Sequence, residues 1–401
     1  MIHTAGNNGE GVRSDCHISL TPDSGQGISI SIHSKVKWMY GGSIEMLCRD
    51  MFHFYGIEKA VLEIDDSGAL PFTLAARIEA VIRKHLDTTL EYLLPVLPQN
   101  IYQTAPDTER ISRLYLPGNN PKLMINAGIY GCHGIILDLE DSVHPGKKYE
   151  ARFLVRNALR SVDFYGAERM VRINQLPEGL KDLDFVIPHQ VNLILIPKCD
   201  SPEQVALVDA KITEILGEKN TSVWLMPIIE NAAGVMRAFE IARASENVVA
   251  MAIGLEDYTA DLGVQRTVEG KESFFARSMV INAARAAGIQ PIDSVFSDID
   301  DMETLAERVR ESKSLGFAGM GCIHPRQIAV INENFLPDES EIDRARKITL
   351  AYEKAEKEGL GVVAADSKMI DMPVVNRALK TIEKAVKSGR LNINWRETNG
   401  R

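Results

Sequence analysis

The chain has 401 residues, 45% of them hydrophobic, with 55 acidic and 45 basic side chains and a formal charge of −10. That balance excludes a disordered polypeptide and a nucleic-acid binder, and no apolar run is long enough to cross a bilayer. Five scattered cysteines (Cys16, Cys48, Cys132, Cys199, Cys322) without a Cys-x-x-Cys pair exclude a disulfide framework and a structural zinc site, and point to a reducing, cytoplasmic setting.

Length predicts two domains. Met1-Ile2-His3-Thr4 has no basic-then-apolar pattern, so export is not expected. The first dozen residues, polar and glycine-rich through Gly6–Gly11, read as a mobile arm; Gly6–Gly11 is no phosphate cradle, since no strand precedes it and no lysine follows. Ile28, Ile30 and Ile32 alternate with serines, the period of a half-buried strand. Gly41-Gly42 is expected to break the chain, with Ser43 capping a helix that follows. Ala60–Ile64 alternates again and closes at Asp66-Ser67-Gly68, a hairpin-turn signal. Leu74, Ala75, Ile78, Val81 and Ile82 then line one helix face, completing a small α+β unit over residues 1–92. Pro95, Pro98 and Pro106 mark 93–110 as a linker.

Eight short apolar runs follow, each trailed by a helix-like segment. They are Leu114–Leu116, Gly134–Leu139, Met170–Ile173, Leu193–Ile196, Trp224–Ile229, Val248–Ile253, Ile292–Phe296 and Gly321–Ile323. Eight strand–helix repeats within 111–335 predict an α/β protein, a closed parallel (β/α)8 barrel of the TIM type. Residues 336–401 are expected as a helical extension, with helices at Ser340–Gly359 and Pro373–Ser388 joined through Gly359-Leu360-Gly361.

The chemistry is expected where the strands stop. Asp138-Leu139-Glu140-Asp141, Arg172, Lys198, Glu230, Glu256-Asp257 and His324-Pro325 all follow apolar runs, so they gather at the C-terminal rim of the barrel. Clustered carboxylates call for a cation, and Glu230 and Asp257, from adjacent strands, could share one; oxygen ligands favour Mg²⁺ or Mn²⁺ over Zn²⁺. Taken alone, either acid could instead cap the next helix. The donor fork of Arg172 suits a carboxylate or a developing oxyanion, or a structural pair with Asp138 or Glu140. Lys198 could be a Schiff-base nucleophile, and His324-Pro325 a loop-ordering pair.

Five motifs in order resemble a known family: Leu114–Gly118, Asp138–Val143, Val171–Asn174, Gly254–Tyr258 and Met369–Val374. They are similar to the citrate lyase beta subunit and to malyl- and citramalyl-CoA lyases of the HpcH/HpaI aldolase/citrate lyase family. That resemblance implies a TIM barrel and a Mg²⁺-dependent retro-Claisen cleavage of a 3-hydroxy-acid thioester. Glu230 and Asp257 would be the metal ligands, with Glu256 competing for the second position. Arg172 would act on the substrate oxygen, Asp138, Glu140, Asp141 and Lys198 would bind substrate, and Asp371 from a neighbouring protomer would be the proton carrier, implying a homo-oligomer. The family's Arg-Ser before Leu-Phe-Val-Pro-Gly is replaced by Ile111-Ser112, with Arg110 and Arg113 the nearest guanidiniums.

The N-terminal unit resembles the citrate lyase acyl carrier protein, the gamma subunit, through Ile64–Leu70, Ala75–Ile78 and Ser14-Asp15-Cys16. The resemblance implies a covalent phosphoribosyl-dephospho-CoA arm, for which Ser14 is the attachment candidate, with Arg13 where the family has Glu. The expectation is a carrier fused to a citryl-thioester lyase, working with an alpha (transferase) subunit. The alternative is a lyase of free malyl-, citramalyl- or citryl-CoA with a non-carrier N-terminal module.

Overall fold

The structure, a computed structural model, describes residues 1–23, 26–357, 363–365 and 368–396. Met1–Asp301 and Ser312–Ile328 form one compact unit, and Met302–Glu311 with Ala329–Arg401 a second.

The first unit opens with a four-stranded sheet of β1 (His3–Gly6), β2 (Cys16–Pro22), β3 (Ile28–Ser34) and β4 (Ala60–Asp66), in the order β1-β2-β4-β3. β1 corrects the expected mobile arm: it pairs antiparallel with β2, from His3 opposite Leu20 to Gly6 opposite His17. The glycine is needed there, because a Cβ at Gly6 would fall 1.8 Å from the Cys16 carbonyl oxygen. The Gly41-Gly42 break is also absent, since one helix runs Lys37–Phe54 and the Ser43 hydroxyl donates to the Tyr40 carbonyl within it. No hairpin follows Asp66. Its carboxylate accepts from the backbone of Gly68 and Ala69, and Pro71 then starts the helix Pro71–His85, where its missing N–H costs nothing.

Eight parallel strands close the barrel: β5 (Ser112–Pro117), β6 (Gly134–Asp138), β7 (Glu168–Arg172), β8 (Leu193–Ile196), β9 (Trp224–Ile229), β10 (Ala250–Ile253), β11 (Gln290–Asp293) and β12 (Gly319–Cys322). They follow chain order around the ring, and β12 pairs back on β5 with Met320 opposite Ser112. Inward side chains such as Ile136, Met170, Leu195, Met226, Ile228 and Ile292 pack the interior. The seventh and eighth strands begin two residues earlier than their apolar runs suggested, because Pro291 and Gly319 carry little side chain to read yet belong to the ladder.

The two halves of this unit meet through charge. The helix Pro71–His85 is buried from Phe72 to Ile82 and packs on the helix Lys148–Ser161 of the barrel. Fully buried Arg77 grips both oxygens of Asp15 at 3.1 and 3.0 Å, Glu150 at 3.3 Å and the Asn119 carbonyl at 3.1 Å. Buried Arg156 pairs with Glu79 and, at 2.8 Å, with Glu91. The expected linker 93–110 is tied down as well, with Asn100 Nδ2 on the carbonyls of Leu159 and Val162 and Arg110 on Glu168.

In the second unit the helices Glu339–Lys357 and Met372–Lys387 pack around Ala345, Ala378, Ile382 and Trp395. The guanidinium of Arg396 stacks 4.6 Å above the Trp395 ring. The expected loop Gly359-Leu360-Gly361 lies outside the described residues. Among the described residues no helix is long and apolar enough to cross a membrane.

Candidate active site

A cavity of about 240 Å³ opens at the C-terminal ends of the strands, lined among others by Arg113, Tyr115, Asp138, Arg172, Glu230 and Asp257. Glu230 follows β9. The helix cap there is Asn231, whose side chain accepts from Gly234 N–H at 2.7 Å, so the Glu230 carboxylate is left to the cavity. One of its oxygens accepts from the Lys198 backbone N–H at 2.9 Å. Burial, then Glu140 and Asp257, push its pKa to about 8 against the pull of Arg172.

Asp257 and Glu256 occupy the first turn of the helix Leu255–Leu262, which β10 launches at the rim. They turn apart. Glu256 pairs with Arg266 at 2.5 Å, whereas Asp257 lies 3.6 Å from Lys198 Nζ. The same ammonium is 3.5 Å from Glu140 and 3.6 Å from Asp141, so Lys198 bridges three acids. Although burial opposes it, this ring of carboxylates raises the lysine pKa, which argues for a held ammonium and against the Schiff-base role. Lys198 also carries a positive φ of 46°, a strained backbone at the strand end.

Arg172, at the end of β7, is held bidentately by Asp138 through two 2.7 Å bonds, and Glu140 pairs with it at 2.9 Å. Burial opposes both shifts, but the pair keeps the Asp138 carboxyl low and the guanidinium firmly protonated. Asp138 is thus the group that aims Arg172, and its oxygens also accept from the backbone of Glu140 and Ser142. Asp141 is exposed and reaches the site through Lys198. His324 orders its loop, accepting from Arg326 N–H at 3.2 Å. Asp371 caps the helix Met372–Lys387 of the second unit, accepting from Val374 N–H at 3.3 Å. Among the described residues no three His, Cys, Asp or Glu side chains converge to hold a metal by themselves.

Tyr115 escaped the reading of strand ends because it lies within β5. Strand alternation puts it and Arg113 on the same, inward face, a signal usable only once the barrel is known. Its ring lies 5.3 Å below the Arg172 guanidinium. Gly254 was equally silent: a Cβ there would come within 2.6 Å of the Glu230 carboxylate.

A second cavity, of about 810 Å³, is lined by Ser14 of the N-terminal half together with Pro117, Lys122, Tyr130, His324 and Arg326. Tyr115 and Ile323 line both cavities. Ser14 has a φ of 58°, its N–H donates to the Ser67 carbonyl at 2.9 Å, and its neighbour Asp15 is the acid gripped by Arg77.

Comparison with known proteins agrees with this layout. Residues 111–325 match the model of the HpcH/HpaI aldolase/citrate lyase family. The chain belongs to that family. Residues 7–85 match a second family model, described as malonate decarboxylase delta subunit, an acyl-carrier family. Citrate lyase subunit beta of Escherichia coli (strain K12) is 38% identical over 299 residues, covering 73% of this chain and 99% of the relative. Human mitochondrial citramalyl-CoA lyase is 30% identical over 306 residues, 72% of this chain and 90% of that protein. The solved CitE protein of Mycobacterium tuberculosis, in complex with magnesium, acetoacetate and coenzyme A, matches with a TM-score of 0.60 at 28% identity, over 70% of this chain and 99% of that one. The chain is therefore a carbon–carbon lyase of the HpcH/HpaI family preceded by a carrier-family domain.

Proposed function

We propose that this lyase carries its own acyl carrier and cleaves a citryl group, held as a thioester on an arm at Ser14, into oxaloacetate and an acetyl thioester. The observation behind the reading is that Tyr115 and Ile323 line both the cavity at Ser14 and the cavity at Glu230. A tethered arm then meets the barrel at high effective concentration.

Glu230 and Asp257 are the residues that would hold Mg²⁺. The fit rests on hard oxygen donors and on the mutual repulsion at Glu230, which a divalent cation relieves. When bound, such an ion supplies Lewis-acid polarisation of the keto-acid half. The chain's own residues do the rest. Asp138 fixes Arg172 so that its remaining donors face the oxygen that becomes the keto group. Lys198 holds Glu140, Asp141 and Asp257 in one arrangement. In cleavage the carbinol hydroxyl releases its proton to solvent as the C2–C3 bond breaks into a keto group and a thioester enolate, and Asp371 of a neighbouring protomer, protonated from solvent, gives its proton to that enolate at C2. This requires a homo-oligomer, and reloading the arm requires a separate alpha (transferase) subunit.

A second reading, a lyase of free malyl-, citramalyl- or citryl-CoA, is favoured by the human citramalyl-CoA lyase relative and by Arg13 in place of the carrier's Glu. Intact-mass spectrometry of protein from its native host decides between them. An arm-sized adduct on Ser14, with chelator-sensitive release of oxaloacetate from the citryl-loaded chain, supports the first. An unmodified chain that splits a free CoA ester supports the second.

A further inference from the structure

Arg113 is the anomaly of the barrel interior. It is 1% exposed, yet among the described residues no carboxylate or carbonyl oxygen pairs with its guanidinium. The other buried arginines have such partners: Arg110 has Glu168, Arg277 has Asp293, and Arg169 has the carbonyls of Gln190 and Asn100. Among the described residues Arg113 Nη1 donates only to the Met226 sulfur, at 3.4 Å, and its Nε has no hydrogen-bond partner. A buried guanidinium without an anion is among the most costly groups a fold can keep, which calls for a ligand that completes it.

The ligand's place is given by the walls. Arg113 lines the same cavity as Glu230, Asp257 and Arg172. It stands two residues before Tyr115 on β5, so ~6.6 Å deeper along the strand. Space is kept beside it by Gly321, where a Cβ would sit 3.2 Å from the Tyr115 ring and 3.7 Å from Arg113 Nη2. Above it, at the rim, stand the acids and Arg172, which in the proposed reaction engage the carbon that becomes the keto group. A substituent of that carbon directed down the barrel would face Arg113, which lines the same cavity.

We infer that Arg113 is a specificity-determining residue that binds a second carboxylate on the keto-acid half of the substrate. This rests on the lyase reading and narrows it: the keto acid released is a dicarboxylate, with a carboxymethyl group where pyruvate has methyl and glyoxylate has hydrogen. A carboxylate completes the guanidinium, whereas methyl or hydrogen leaves it bare, so the discrimination works both by attraction and by an unmatched charge.

The test is calorimetric binding of freshly dissolved oxaloacetate and of pyruvate to the full-length protein with Mg²⁺, for wild type, Arg113→Met and Arg113→Lys. Wild type is expected to prefer oxaloacetate about 100-fold, the scale of a charge-assisted hydrogen-bond pair. Arg113→Met should lose that preference while binding pyruvate at least as well, and Arg113→Lys should restore part of it. An equal loss for both acids, or no change in their ratio, overturns the inference. If Arg113→Met does not fold, the wild-type ratio and Arg113→Lys decide. Equal binding of both acids by wild type overturns the role of Arg113 and leaves the lyase reading standing. Binding of neither overturns that reading and the inference with it.

Discussion

At the scale of single residues, the site depends on small groups making room for charged ones. Gly254 has an ordinary backbone, so alanine there costs little conformationally, but its methyl would press the Glu230 carboxylate from 2.6 Å. Gly254→Ala should therefore lower kcat by about 10²-fold, the usual effect of a displacement near 1 Å, and raise the Mg²⁺ concentration for half-activity. Steady-state kinetics across a Mg²⁺ series would show it; unchanged kcat and Mg²⁺ dependence would mean Glu230 is not the metal-side carboxylate. Asp138 carries a different kind of load. Removing it leaves the half-buried Arg172 fork with Glu140 alone, so Asp138→Ala should destabilise the fold by about 3 kcal/mol, the low end for breaking a buried pair. Urea unfolding reads this directly, and a loss below about 1 kcal/mol, the scale of an exposed pair, would show that the pair is solvated.

Elements were legible in proportion to how much side chain they carry. β5 to β10 announced themselves as apolar runs because a parallel strand is buried on both faces. β1 was hidden by its glycine and the start of β11 by Pro291, whose backbones join ladders that composition does not advertise. Strand direction made the rim acids, Arg172 and Lys198 legible, since in a barrel they can gather only at one end. Arg113, Tyr115, Gly254 and Gly321 were not, because their roles arise from closure, which brings distant strands together. The same holds for the contact between the helices Pro71–His85 and Lys148–Ser161, whose charges find their partners only across the closed fold. Glu91, beside it, shows the consequence. Burial alone would raise its pKa, but His189 and Arg156 bring it down to about 2, against an ordinary 4.5. A carboxylate depressed on folding stabilises fully above pH 4.5, and that stabilisation disappears as the pH falls toward 2. Denaturant unfolding at steps from pH 5 down to 2 should find wild type more stable than Glu91→Gln at the top of the range and equal at the bottom. A gap independent of pH would contradict the assigned pairing.

Across the whole molecule, the question is whether the carrier-like domain travels. Carriers that serve several sites must detach, yet here Arg77 and Arg156 are wholly buried between the N-terminal half and the barrel, each holding acids on the opposite side. Detachment would break both pairs and uncover the face of the helix Pro71–His85 that packs on Lys148–Ser161, so the docked state is favoured. Ser14 is tied to the same network through Asp15, and it opens on the cavity that its own barrel shares across Tyr115 and Ile323. The arm is then expected to serve the barrel of its own chain. Co-expressing Ser14→Ala, which lacks the proposed attachment point, with Glu230→Ala, which lacks the barrel acid, tests this in mixed oligomers. Both chains keep Asp371, so the proposed proton delivery between protomers is left intact. Oxaloacetate release should stay at background in the mixture, and adding Arg77→Ala to the Glu230→Ala chain, which loosens the carrier that bears the arm, should let some activity return. Cleavage restored in the mixture without that third substitution would mean that the carrier reaches a neighbouring barrel and that the buried pairs do not hold it.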